Sequence, residues 1–210
     1  MYIFNRRVVQ RRGNVKITSQ MVKELRDKTN AGMMDCKKAL TETAGDLEKA
    51  VDLLRQKGLA VAAKRAGRET KEGVVEAYIH AGGKLGVMVE VACETDFVAK
   101  TDDFRAFAKN VAMHIAAANP IAVSREGVPE DLLQRETDIY TNQALESGKP
   151  QQIVEKIVAG KVEKYLAEIC LLEQKYIKDP DLSIQDLLNE LVAKMGENIS
   201  IRKFARFHIG

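Results

Sequence analysis

The chain has 210 residues, 45% of them hydrophobic and 30% charged, with aromatics at 5% and no tryptophan; that is enough for one ordinary domain plus a small accessory one, and it reads as helix-rich. No run of roughly 18 apolar residues occurs, so nothing in the sequence reads as a membrane-spanning helix. The formal charge of +3 is concentrated: residues 1–20 hold Arg6, Arg7, Arg11, Arg12 and Lys16 without an acid, so the rest is slightly acidic and lacks the basic folded surface of a nucleic-acid binder.

Residues 1–14 read as a basic extension outside the fold. For an organellar targeting stretch they are short and lack Ser, which favours a disordered tail or a misplaced start, with Val15 as the first residue. Residues 15–58 read as a three-helix bundle. The first helix follows Ser19 as N-cap, with Val22 and Leu25 on one face. The second starts after Gly32, with Met33, Cys36 and Leu40 on its stripe. The third is capped by Asp46, carries Leu47, Ala50, Val51 and Leu54, and stops at Gly58.

Residues 59–73 read as a polar linker around Gly67 and Gly73. The period then changes to alternation. Val75, Ala77 and Ile79 point one way and Glu76 and Tyr78 the other; Gly82-Gly83 turns the chain, and Val87, Val89, Val91 and Cys93 resume the pattern as a β-hairpin. An acidic stretch, Glu94-Thr95-Asp96, precedes a helix with Phe104, Phe107, Ala108, Val111, Ala112 and Ile115 on its apolar face. Helices over about 130–146 and 151–175 follow, then one capped by Ser183 and Asp186 with Ile184, Leu187, Leu188, Leu191 and Val192 inward. Ile199, Ile201, Lys203, Ala205 and Phe207 alternate with Ser200, Arg202, Phe204 and Arg206 in a last strand. That strand completes a three-stranded antiparallel sheet, because a lone hairpin is marginal in water. The class is α+β: a small helical bundle, then a core of sheet and helices over 74–210.

The catalytic inventory is thin. Cys36, Cys93 and Cys170 are widely spaced and read as buried thiols of a reducing compartment; His80, His114 and His208 are equally dispersed. Ala81-Gly82-Gly83-Lys84-Leu85-Gly86 is followed by a strand, so it is a hairpin turn and not a phosphate loop. Asp102-Asp103 reads as helix capping. Two features stand apart. Met33 and Met34 are about 100° apart on one short helix, so a single face cannot bury both. Phe97 sits in a charged connector, either as a lid on its own core or as a wedge for a partner groove.

Together these pieces resemble the elongation factor Ts family. Leu25-Arg26, continued by Ala31-Gly32-Met33-Met34-Asp35-Cys36-Lys37-Lys38-Ala39-Leu40, is similar to its amino-terminal signature. Cys93-Glu94-Thr95-Asp96-Phe97-Val98-Ala99 is similar to its second, and Gly196-Glu197-Asn198-Ile199 to a third. The resemblance covers about 15–210. It implies a non-catalytic guanine-nucleotide exchange factor for the GTPase elongation factor Tu, met in its GDP-bound and nucleotide-free forms, with no cofactor, metal, nucleic acid or membrane involved. The bundle would resemble a ubiquitin-associated fold and grip the GTPase through Arg26, Met33 and Met34. The segment Thr95, Asp96, Phe97 and Val98 would displace the partner's magnesium ion and distort its phosphate site.

Asn30 stands where the family more usually has glycine. Larger members duplicate the core and insert a helical hairpin; this chain has room for one core, like the short members that pair with themselves, which implies a homodimer and a two-plus-two complex. The implied location is the cytoplasm, with an organellar matrix second. A peptide- or ubiquitin-like-binding adaptor, read from the bundle alone, is the alternative. A small enzyme using Asp102, Asp103 and His114 is a weaker one.

Overall fold

The computed structural model describes residues 15–29, 31–148 and 150–210, so the expectations for residues 1–14 and Asn30 lie outside the described residues. Three helices come first: α1 (Ser19–Thr29), α2 (Met33–Glu42) and α3 (Leu47–Arg65). Val22, Leu25, Cys36, Ala39, Leu40 and Ala50 form their shared core, with Leu47, Val51 and Leu54 at its edge. Ser19 is not the cap of α1; Thr18 Oγ1 accepts from the Met21 N–H at 3.3 Å, and Ser19 already lies in the helix. Asp46 caps α3 as expected, accepting from the Lys49 N–H at 3.1 Å.

α3 does not stop at Gly58. Its missing side chain lies against a later helix, where a Cβ would stand 3.8 Å from Ala193 Cβ and 4.0 Å from the Asn189 carbonyl oxygen. That close approach and Ala62, which packs on the main core, keep the chain helical to Arg65 and override glycine's cost in a helix. Half of the expected linker is therefore helix.

The sheet comprises β1 (Glu72–Ile79), β2 (Leu85–Cys93) and β5 (Ile199–His208), antiparallel with β2 central. In the hairpin turn the His80 N–H donates to the Leu85 carbonyl at 2.8 Å. Gly82 and Gly83 take φ of +92° and +69°, the left-handed region that favours glycine. Val87, Val89, Val91 and Cys93 are buried, as alternation predicts. On β1 the alternation holds and the structure decides its sense: Val74 and Tyr78 pack on the core, while Val75 and Ile79 are exposed. β5 needs a correction as well. Its pairing passes from Val91↔Ile201 to Glu90↔Lys203, leaving Arg202 as an extra residue. That bulge flips the pleat, so Ile199 and Ile201 point inward, whereas beyond it Phe204 turns in and Ala205 and Phe207 turn out.

Helices cover one face only. Between β2 and β5 run α4 (Asp96–Ala99), α5 (Asp102–Ala118), α6 (Glu130–Glu146), α7 (Gln151–Ile169), a small pair β3 (Lys175–Tyr176) and β4 (Asp179–Ser183), and α8 (Ile184–Met195). Phe104, Phe107, Ala108, Val111, Ala112 and Ile115 of α5 and Ile184, Leu188, Leu191 and Val192 of α8 fill the core with β2. The expected cap of α8 is present: Ser183 Oγ accepts from the Asp186 N–H at 3.1 Å while the Asp186 carboxylate accepts from the Ser183 N–H at 2.9 Å. α7 ends at Ile169 rather than near 175. The buried Cys170 leaves the helical path, bridges to Ala122 and starts a short 3-10 turn that leads into β3.

Candidate functional site

The connector leaving β2 is built around one helical turn. Thr95 has extended backbone and caps α4, its Oγ1 accepting from the Val98 N–H at 3.5 Å, and the Lys100 N–H closes the turn on the Asp96 carbonyl at 3.2 Å. Val98 and Ala99 point down into the main core. Phe97, just before them, is 81% exposed. An aromatic ring so exposed beside the buried Val98 and Ala99 is not a lid on its own core. Asp96, half-buried, binds Lys100 Nζ at 2.6 Å, and that bond holds its carboxyl below the usual carboxylate range.

This turn is braced from a distant part of the chain. Glu197 Oε2 accepts from the Thr95 N–H at 3.0 Å, and Oε1 from the Thr95 hydroxyl at 2.6 Å. Glu94 Oε1 accepts from the Asn198 N–H at 2.6 Å, which depresses the Glu94 carboxyl. Asn198 Nδ2 donates to the Arg68 carbonyl at 2.7 Å, and Arg68 reaches Glu94 at 3.4 Å. Cys93 donates its thiol proton to the Thr95 carbonyl at 3.1 Å; burial pushes that thiol up to about 11, so it is protonated and unreactive near neutrality.

Met33 and Met34 form a second patch. Both are exposed, at 59% and 63%, so Met33 does not belong to the buried stripe of α2, and Arg26 on α1 is exposed too. α1 and α2 pack on each other and on α3, whereas α4 packs on β1, β2 and α5, so the structure presents two separate patches. Of the seven residues singled out from sequence, Arg26, Met33, Met34 and Phe97 are surface groups. Thr95 and Asp96 shape the turn, and Val98 is its buried anchor. Glu197 and Glu94 were missed as site residues, although both lie inside the quoted motifs.

The residues weighed for catalysis do not meet. Thr101, not the acids, caps α5 by accepting from the Phe104 N–H at 3.3 Å; Asp103 pairs with Lys194 at 2.8 Å. His114 is fully buried three turns on, its Nε2 bonded to Gln174 Oε1 at 2.9 Å, and burial holds its pKa down. Among the described residues no group of three His, Cys, Asp or Glu side chains forms a metal cluster, and no helix is long and apolar enough to cross a membrane.

Comparison with known proteins gives one answer. The family model described as Elongation factor TS matches residues 14–210. The chain is 73% identical over 194 residues to Elongation factor Ts of Desulfotalea psychrophila, covering 92% of this chain and 98% of the relative. It is 65% identical to that of Desulfosudis oleivorans over the same shares. It is 62% identical to that of Carboxydothermus hydrogenoformans, covering 92% of this chain and 89% of the relative.

Proposed function

The chain belongs to the elongation factor Ts family, and from that premise we propose that this translation elongation factor is the guanine-nucleotide exchange factor for elongation factor Tu. It binds the GDP-bound GTPase, drives GDP out and stays on the nucleotide-free form. The helical bundle grips the partner through Arg26, Met33 and Met34. The Thr95–Val98 turn enters between two partner helices, with Asp96 and Phe97 leading, and unseats the magnesium ion from the phosphate site. The carrying observation is the 81% exposure of Phe97 above two buried anchors.

Energetics decide how the work is shared. Burying one Phe side chain contributes roughly 1.5–3 kcal/mol. A ten-thousandfold faster release needs a barrier lower by about 5.5 kcal/mol. The ring alone is insufficient, so docking energy from the methionine patch is turned into distortion of the metal site. Linkage then requires GDP and this protein to weaken each other's binding by the same factor. No bond is made or broken by this chain, which makes it a binding protein and not an enzyme.

The outer sheet face supports self-association. Val75, Ile79, Met88 and Phe207 are exposed on it at 49–66%. In register Ala77 lies beside Met88 and Gly86 beside Phe207, so the apolar side chains run across all three strands. A second copy laid on that face covers it and gives the two-plus-two complex. The slightly acidic body fits a protein without direct nucleic-acid contact, and the reading places it in the cytoplasm. Mixing the protein with elongation factor Tu loaded with a fluorescent GDP tests the whole reading: release accelerates and saturates with factor concentration. Release at the intrinsic rate refutes it.

A further inference from the structure

We propose that Glu197 is a positioning residue for exchange, acting through Thr95 to hold the Phe97 turn in its projecting form; this rests on the exchange reading above. A single helical turn does not form by itself, because closing the first turn fixes several dihedrals for one hydrogen bond. At 81% exposure the ring direction is set by the backbone beneath it. That backbone is fixed just past the end of the sheet. Beyond the last ladder pair, Cys93↔Ile199, the N–H groups of Thr95 and Asn198 find partners in carboxylates instead of strand carbonyls. The two carboxylates are exchanged across the gap: Glu94 serves Asn198, and Glu197 serves Thr95.

Glu197 does more than satisfy one donor. Its second oxygen accepts a hydrogen bond from the Thr95 hydroxyl, which leaves the oxygen lone pairs of Thr95 for the Val98 N–H and so starts α4. Bonds to an ionised acceptor are the stronger kind, and these are partly buried. The chain of cause runs from Glu197 to Thr95, to the cap of α4, to the direction of Phe97, over a sequence separation of 102 residues. Glu197 itself need not touch the partner.

The test measures GDP release by stopped flow across factor concentrations for Glu197→Ala and Glu197→Gln, alone and with Phe97→Ala. Glu197→Ala lowers the maximal release rate at least about tenfold. Its half-saturating concentration stays within about threefold, because the methionine patch still holds the partner. Glu197→Gln keeps a carbonyl oxygen for the Thr95 N–H and recovers most of the rate. In the Phe97→Ala background Glu197→Ala costs less than in the wild type, since part of its effect passes through the ring and only the part carried by Asp96 on the same turn remains. Hydrogen exchange at the Val98 and Ala99 amides rises in Glu197→Ala while that of β5 does not. An unchanged maximal rate, or an equal loss in both backgrounds, overturns the proposal. If Phe97→Ala alone releases GDP at the wild-type rate, the wedge reading falls; amide exchange at Val98 and Ala99 then decides by itself whether Glu197 holds the turn.

Discussion

Replacing Phe97 by Ala separates function from stability. In the free protein four-fifths of this residue is already in water, so truncation removes little packing. Folding stability should change by no more than about 0.5 kcal/mol. In the proposed complex the same exposed surface becomes buried. Scaling a full Phe burial to that share gives about 1–2.5 kcal/mol, which converts to roughly a 5- to 70-fold slower release. On the proposed role of the ring at the partner's metal site, the loss should fall on the maximal rate more than on affinity. Urea denaturation and stopped-flow release of fluorescent GDP read the two quantities on one preparation. Wild-type release from a normally stable variant would remove the ring from the mechanism, and a large loss of stability would show it to be a packing element.

Three further outcomes follow from other parts of the structure. Met33→Ala with Met34→Ala should raise the dissociation constant for the GTPase about ten- to a hundredfold by calorimetry, since both side chains are free to be buried on docking; equal affinity would remove the patch from the interface. Phe207→Glu, at a position 66% exposed in one copy, should convert a sedimenting dimer to a monomer without unfolding it; a wild type that sediments as a monomer refutes the two-plus-two complex. Glu190 lines a cleft of about 560 Å³ between α3 and α8, together with the Arg55–Asp186 pair at 2.6 Å. Burial first, then the charge of Asp186, pushes its carboxyl up to about 7 from its usual 4.5. The folded state therefore favours the proton, so this stability is fully present below about pH 4.5 and lost as pH rises through about 7. After discounting for solvent screening, Glu190→Gln should add about 1 kcal/mol at pH 8 and nothing at pH 4; an equal gain at both refutes the assignment.

What was legible in the sequence was local. The stripes of α5 and α8, the Ser183–Asp186 box and the Gly82-Gly83 turn each depend on residues a few positions apart, and all stand as read. What failed was set from far away. Gly58 is a helix breaker until Ala193 and Asn189 lie against it. Val74 and Val75 offer both faces of β1 an apolar residue, so composition could not choose which goes inside. On β5 the choice was reversed by one extra residue at Arg202, whose guanidinium is drawn to the Thr70 carbonyl and hydroxyl. At the site, the second motif drew attention to Phe97, but the use of Glu197 became visible only when the sheet brought the two motifs side by side.

The unbroken passage of α3 from the bundle onto α8 makes it a rod between the two patches proposed to contact the partner. One residue added between Gly58 and Arg65 would turn the methionine pair about 100° around that axis and advance it about 1.5 Å, putting it out of phase with the phenylalanine. Seven added residues, nearly two whole turns, would bring the pair back to within about 20° and only lengthen its reach by about 10 Å. Angular phasing along this rod, set against the hold of α8 on Gly58 and Arg55, thus bears on whether both proposed patches meet a partner at once.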